Sequence, residues 1–248
     1  MNRVLIAILS IAFFLSFSSP TLASGWCKAD SEPQLVFAPY EDDVTIDNSR
    51  SFVDLSRVKS DTRNPYGRNS IVHTFGLAHR EFRLEQKTEL KILTNPNTRQ
   101  TCLWYGTIDV RIYSKPVIYI AKEFEPGTCH YQEVLRHEME HITVDREVTN
   151  KYLGILATRL RQKLGSETAY GPIRLSQQNS SVQKLQRRIE SIVREVSANM
   201  KAERDARQSK IDSLGSYERS SRFMAETCDR RNPDIAQKRD AILRRYMR

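Results

Sequence analysis

A chain of 248 residues with 39 Lys+Arg against 30 Asp+Glu carries a formal charge of +9, and its length suits one large domain or two small ones. The positive residues are scattered among acids along helix-like segments without interleaved aromatics. This excludes a specific nucleic-acid surface and leaves a solvated helical face, with at most weak affinity for anionic envelope polymers. Beyond Phe17 no stretch approaches the roughly 20 apolar residues needed to span a bilayer.

The first element is an apolar run, Val4 to Phe17, behind a single positive residue, Arg3. Ser18, Ser19 and Pro20 break it, and Thr21-Leu22-Ala23 supplies small residues for a signal peptidase. That layout predicts a cleaved secretory signal over residues 1–23 and a mature single domain, 24–248, in the periplasm or outside the cell. Cys27, Cys102, Cys129 and Cys228 all fall in the mature part. An even count in an exported chain predicts two disulfides, and no Cys-x-x-Cys pair suggests a zinc knuckle.

The mature sequence divides into a β-leaning part, 24–127, and a helical part, 128–248. Ser24 to about Gly67 reads as irregular, broken by Pro33, Pro39 and Pro65, with Val44-Thr45-Ile46 as a short strand. Asn69 to Glu89 reads as extended, and Leu90 to Leu93 as a separate short strand ended by the turn signal Asn95-Pro96-Asn97. Ile108, Val110 and Ile112 alternate with polar neighbours, the period of a half-buried strand. Ser114-Lys115-Pro116 is expected to interrupt it before a more uniformly apolar strand, Val117 to Ala121.

At Thr128, a good N-cap, the period changes. Val134, Leu135, Met139, Ile142, Val148, Tyr152, Leu156, Leu160 and Leu164 recur at helical steps and predict one helix of roughly 35 residues, stopped by Gly165. Ser166 to Ser180 reads as a linker. Val182, Leu185, Ile189, Val193, Val196 and Met200 predict a second long helix to around Lys210, with shorter helices over Tyr217–Phe223 and Ile235–Tyr246. The fold class expected is α+β: a small, mostly antiparallel sheet, a long helix, and an antiparallel helical hairpin.

The first long helix carries His137-Glu138-Met139-Glu140-His141. Residues four apart share a helical face, so the two imidazoles can converge on one metal ion, and neutral imidazole suits zinc. Glu138 stands beside that position as a general base for an activated water. Glu140 points elsewhere. This arrangement resembles the zincin superfamily of metallopeptidases, and more narrowly the secreted zinc-dependent proteases of bacteria. The resemblance covers about Thr107 to Val148, with a weaker echo at Gln208–Tyr217. It implies a zinc-dependent endopeptidase acting on peptide or protein substrates, with His137 and His141 as ligands and Glu138 as general base. It also implies that Val117–Ala121 or Ile108–Tyr113 is an edge strand pairing with extended substrate.

The third ligand departs from the better-known zincin patterns. No glycine and histidine follow the motif in the metzincin manner, and no glutamate falls in Arg159–Lys163. Geometry points to Asp212. From His137 to Leu164 the first helix climbs about 40 Å, and an antiparallel partner from Val182 returns to the same level near Lys210. Asp212 is then a candidate ligand and Tyr217 a candidate donor to an oxyanion. Glu218, Glu203 and Asp145 are alternatives, and Asp145 is also placed to accept a hydrogen bond from His141. The same hairpin brings Cys129 towards Cys228, which leaves Cys27 for Cys102. His130 sits at the helix entrance, and His73 and His79 read as ordinary sheet or surface residues. A different class of function is a non-catalytic envelope protein whose hairpin binds a partner; zinc at one equivalent would separate the two.

Overall fold

The computed structural model describes residues 25–58, 74–164 and 169–246; the expected signal segment, Asn69 to His73, and Gly165 lie outside them. In chain order the elements are β1 (Gln34–Glu41), β2 (Thr45–Asp47), α1 (Phe52–Leu55), β3 (Gly76–Asn95), β4 (Gln100–Ile120), α2 (Cys129–Leu164), β5 (Tyr170–Arg174), α3 (Gln178–Ile211), α4 (Leu214–Phe223), α5 (Asp229–Arg231) and α6 (Pro233–Tyr246). A π-helical turn, Met224–Cys228, joins α4 to α5. The class is α+β, one mixed sheet layered against long helices.

β4 organises the sheet. From Ile108 to Ile120 its even-numbered residues are all buried, so one face of the strand is committed to the helices. β3 pairs antiparallel along its whole length, and the turn between them is held by the Asn95 side chain, which accepts from the Asn97 N–H at 3.0 Å. The extended region and the separate short strand expected from sequence are one strand, with a register shift at Glu89/Leu90 where the pattern changed. β5, in the stretch read as linker, pairs antiparallel with the start of β4.

The other side of β4 holds two parallel strands, β1 and β2. β1 falls in the stretch read as irregular, because Pro39 and a run without alternation hid it; an edge strand tolerates that proline. The expected break at Ser114-Lys115-Pro116 does not occur. β1 ends opposite Ser114 and β2 begins opposite Val117. Pro116 therefore sits in the gap between two partners, where its missing N–H forfeits no ladder bond on that side. Ile108–Tyr113 and Val117–Tyr119 lie on β4 with a paired strand on each side and cannot serve as an edge; β4 ends at Ile120, one residue short of Ala121. Among the described residues the open edges belong to β3 on one side of β4 and to β1, β2 and β5 on the other, and of these it is β3 that borders the motif of α2.

α2 and α3 form an antiparallel hairpin against the sheet. Arg159–Glu195, Lys151–Glu203 and Arg207–Glu147 ion pairs mark its register. Leu103, Tyr105, Ile108 and Val110 of β4 pack with Leu156, Leu160 and Leu164 of α2 and Leu185, Ile189, Val193 and Val196 of α3. A second cluster, Ile118, Ile120, Phe124, Tyr131, Val134, Ile142 and Met224, lies under the first half of α2. Each fully buried aliphatic or aromatic side chain contributes about 1.5–3 kcal/mol, so these two clusters fix α2 on the sheet at both ends.

Both expected cysteine pairs form: Cys27–Cys102, with Cα atoms 5.5 Å apart, and Cys129–Cys228, at 5.1 Å. Such pairs belong to an oxidising compartment. No helix among the described residues is long and apolar enough to cross a membrane.

Candidate metal centre

His137 and His141 lie one turn apart on the face of α2 turned inward, each 9 % exposed, with ring centroids 5.2 Å apart. Asp212 reaches them because α3 descends antiparallel and ends at Ile211, leaving Asp212 as its C-cap beside the motif. Its Oδ1 lies 3.3 Å from His137 Nε2 and 3.1 Å from His141 Nε2. One ligand atom from each of the three residues falls within 4.8 Å of the others, and all three residues are buried. Tyr217, one turn into α4, donates its hydroxyl to the same Asp212 oxygen at 3.1 Å, and its ring centre lies 5.6 Å from that of His137.

The electrostatics are those of a concentrated site. Burial alone would raise the Asp212 carboxyl, but hydrogen bonds and charge from His137 and His141 outweigh it and hold the group well below the ordinary carboxylate range. Burial alone would lower the His141 imidazole; Asp212, then Glu138 and Gln208, reverse this and push it up to about 9. Glu138 is pushed up by burial, only partly offset by the two histidines and by a hydrogen bond from the Ala78 backbone N–H.

That hydrogen bond locates Glu138 in the fold. Ala121 N–H donates to Phe75 O at 2.8 Å, which makes Phe75 and, two residues on, Leu77 the residues whose backbone groups face β4. Ala78 then points its N–H to the open edge of β3, where it meets the carboxylate. Gly76 opens the same strand, and a Cβ there would sit 2.6 Å from Glu138 Oε1. The glycine is what lets the helix carboxylate lie so close to the strand.

The remaining sequence candidates separate cleanly. Glu203 accepts from Lys151 Nζ at 2.5 Å and Tyr152 Oη at 3.1 Å, further up the hairpin. Glu218 is exposed on α4. Asp145 is buried but does not bond His141 directly; Gln208 stands between them, donating to Asp145 Oδ1 at 2.7 Å and bonding His141 Nδ1. His130 is fully buried, 2.7 Å from Asp229, and His79 is exposed. Gln208 and Gly76 were not singled out from sequence. Gln208 lies four residues before Asp212 on a predicted helix, so its facing the same site was readable once Asp212 was placed.

Two imidazole nitrogens and one carboxylate oxygen, buried and converging with the Glu138 carboxylate alongside, form a donor set that could hold a metal ion. Comparisons with protein-family models, with curated proteins and with solved structures find no match for this chain.

Proposed function

We propose that the protein is an exported zinc-dependent endopeptidase of the zincin type, with His137, His141 and Asp212 as ligands. The observation that supports this most is the convergence of His137, His141 and Asp212 around one point, with the buried Glu138 beside them. A zinc ion in this donor set would acidify a water molecule and polarise a peptide carbonyl.

The chain's own groups account for the proton movements. Glu138 takes a proton from the attacking water, favoured because burial has raised its basicity, and returns it to the amine as the C–N bond breaks. Tyr217, whose hydroxyl reaches Asp212 Oδ1 at 3.1 Å, would donate its hydrogen to the oxyanion of the tetrahedral intermediate instead. An extended peptide lying along the open edge of β3 would bring its carbonyl to the Ala78–Glu138 corner.

The test combines metal analysis with a peptide library. Wild type should hold one zinc per chain and cleave. Glu138→Gln should keep the metal and lose activity on the order of 10²–10⁴-fold. His137→Ala should lose both. A Glu138→Gln protein as active as wild type refutes the general-base role, and a wild type that binds no zinc refutes the class.

A further inference from the structure

Gln208, one turn before Asp212 on α3, is 6 % exposed and uses both ends of its amide. Its Nε2 donates to the backbone carbonyl of His141 at 3.0 Å and to Asp145 Oδ1 at 2.7 Å. Both partners are acceptors, so the amide has one orientation and its Oε1 must face the ring of His141, where it bonds Nδ1. An amide oxygen only accepts. Nδ1 therefore keeps a proton, and the proton that Nε2 shares with Asp212 is the one a metal ion would displace.

What holds the amide this way is Asp145. It accepts from Arg204 Nε at 2.7 Å and Nη2 at 3.4 Å, and faces Arg80 Nη1 at 3.6 Å. Both guanidinium groups only donate, so Asp145 meets Gln208 as an acceptor. Arg80 is itself anchored, by Glu41 of β1 and by Ser114 Oγ of β4 at 2.8 Å. The sheet, α2 and α3 all contribute to one fixed hydrogen-bond order ending at His141.

We propose that Gln208, oriented by Asp145, is a positioning residue that selects the His141 tautomer offering Nε2 to a metal ion, an inference that rests on the metal-centre reading above. Without the amide oxygen, the nearest acceptor is Asp212 Oδ1, 3.1 Å from Nε2. The ring proton would move to that nitrogen and oppose ligation, because a ring nitrogen's partner decides which nitrogen is protonated.

The test has one readout that needs no metal. Ring-nitrogen NMR of chelator-stripped protein, at about pH 10 so that His141 has lost its second proton, reports the tautomer directly. Wild type and Gln208→Glu, which keeps an acceptor, should show Nδ1–H, and Gln208→Met should show Nε2–H. Zinc affinity by chelator competition should fall roughly 10–100-fold in Gln208→Met, and by less in Gln208→Glu. A wild-type spectrum without a proton on Nδ1 overturns the proposal whether or not any variant folds. So does a Gln208→Met protein that keeps Nδ1–H, or one that binds zinc like wild type. If the tautomer shifts as expected while wild type takes up no zinc, the positioning role stands and the metal reading fails.

Discussion

Replacing Gly76 with alanine adds a single methyl group at the contact between β3 and the part of α2 that carries Glu138. Its Cβ would lie 2.4 Å from Val134 Cγ1, 2.6 Å from Glu138 Oε1 and 2.9 Å from Glu138 Cγ. Carbon contacts rest at about 3.5–4.0 Å, so roughly 1 Å of separation has to be found. The strand yields little, because Phe75 is bonded to Ala121 and Gly76 lies opposite the fully buried Ile120. Val134 is packed in the second core cluster, and forcing it aside costs about 1–3 kcal/mol of stability. Glu138 is the freer of the two neighbours and would swing away, losing the Ala78 N–H. A catalytic group misplaced by about 1 Å costs on the order of 10²-fold in rate. The three atoms nearest that Cβ belong to Val134 and Glu138, not to the three proposed ligands, so zinc content should stay at one per chain. Peptide hydrolysis, zinc analysis and denaturant unfolding on the same preparation separate these effects. Wild-type kcat/KM together with unchanged stability would refute the reasoning. Lost stability with full activity would show that the carboxylate does not depend on this contact.

Asp212→Ala should leave two protein ligands and lower zinc affinity sharply, since two rarely hold zinc firmly; chelator competition measures this, and an unchanged affinity sends the assignment to another residue. Cys228→Ser opens a bond spanning 99 residues of sequence and should cost about 2–5 kcal/mol. Non-reducing peptide maps of wild type should show Cys129–Cys228 and Cys27–Cys102 and no free thiol, and four alkylatable thiols in native protein would refute both bonds. In chelator-stripped protein, His141 is raised from 6.5 to about 9, so its contribution is fully present below the lower value and lost as pH rises through the upper one. Denaturant midpoints should therefore fall between about pH 7 and 10, and a flat series would contradict the Asp212–His141 coupling.

Local pattern accounts for much of what was legible. The alternation of Ile108, Val110 and Ile112 marked β4, and helical steps marked α2 and α3 to within a few residues. Both signals are dictated by which face must be buried, and they survive in one dimension. β1 was invisible because its residues are only half buried and it is held parallel to a strand more than seventy residues later, by backbone bonds that leave no side-chain period. Pro116 misled for a related reason. Whether a missing N–H interrupts a strand depends on which neighbour it faces, and the gap between β1 and β2 exists only in the sheet.

The candidate site divides along the same line. His137, Glu138 and His141 belong to one helix, so their spacing alone puts them on one face, and helix lengths alone brought Asp212 and Cys228 to the right level. Rise per residue is a local property that adds up along the chain. The sequence could not show that Glu138 meets the open edge of β3 at Ala78, or that Gly76 makes room for it. Nor could it show that Asp145 acts on His141 through Gln208 rather than directly. Those facts concern azimuth and reach between elements far apart in the chain. They are decided when β3, α2 and α3 pack, because side-chain hydrogen bonds form over about 3 Å while helical periodicity predicts position only to within a turn.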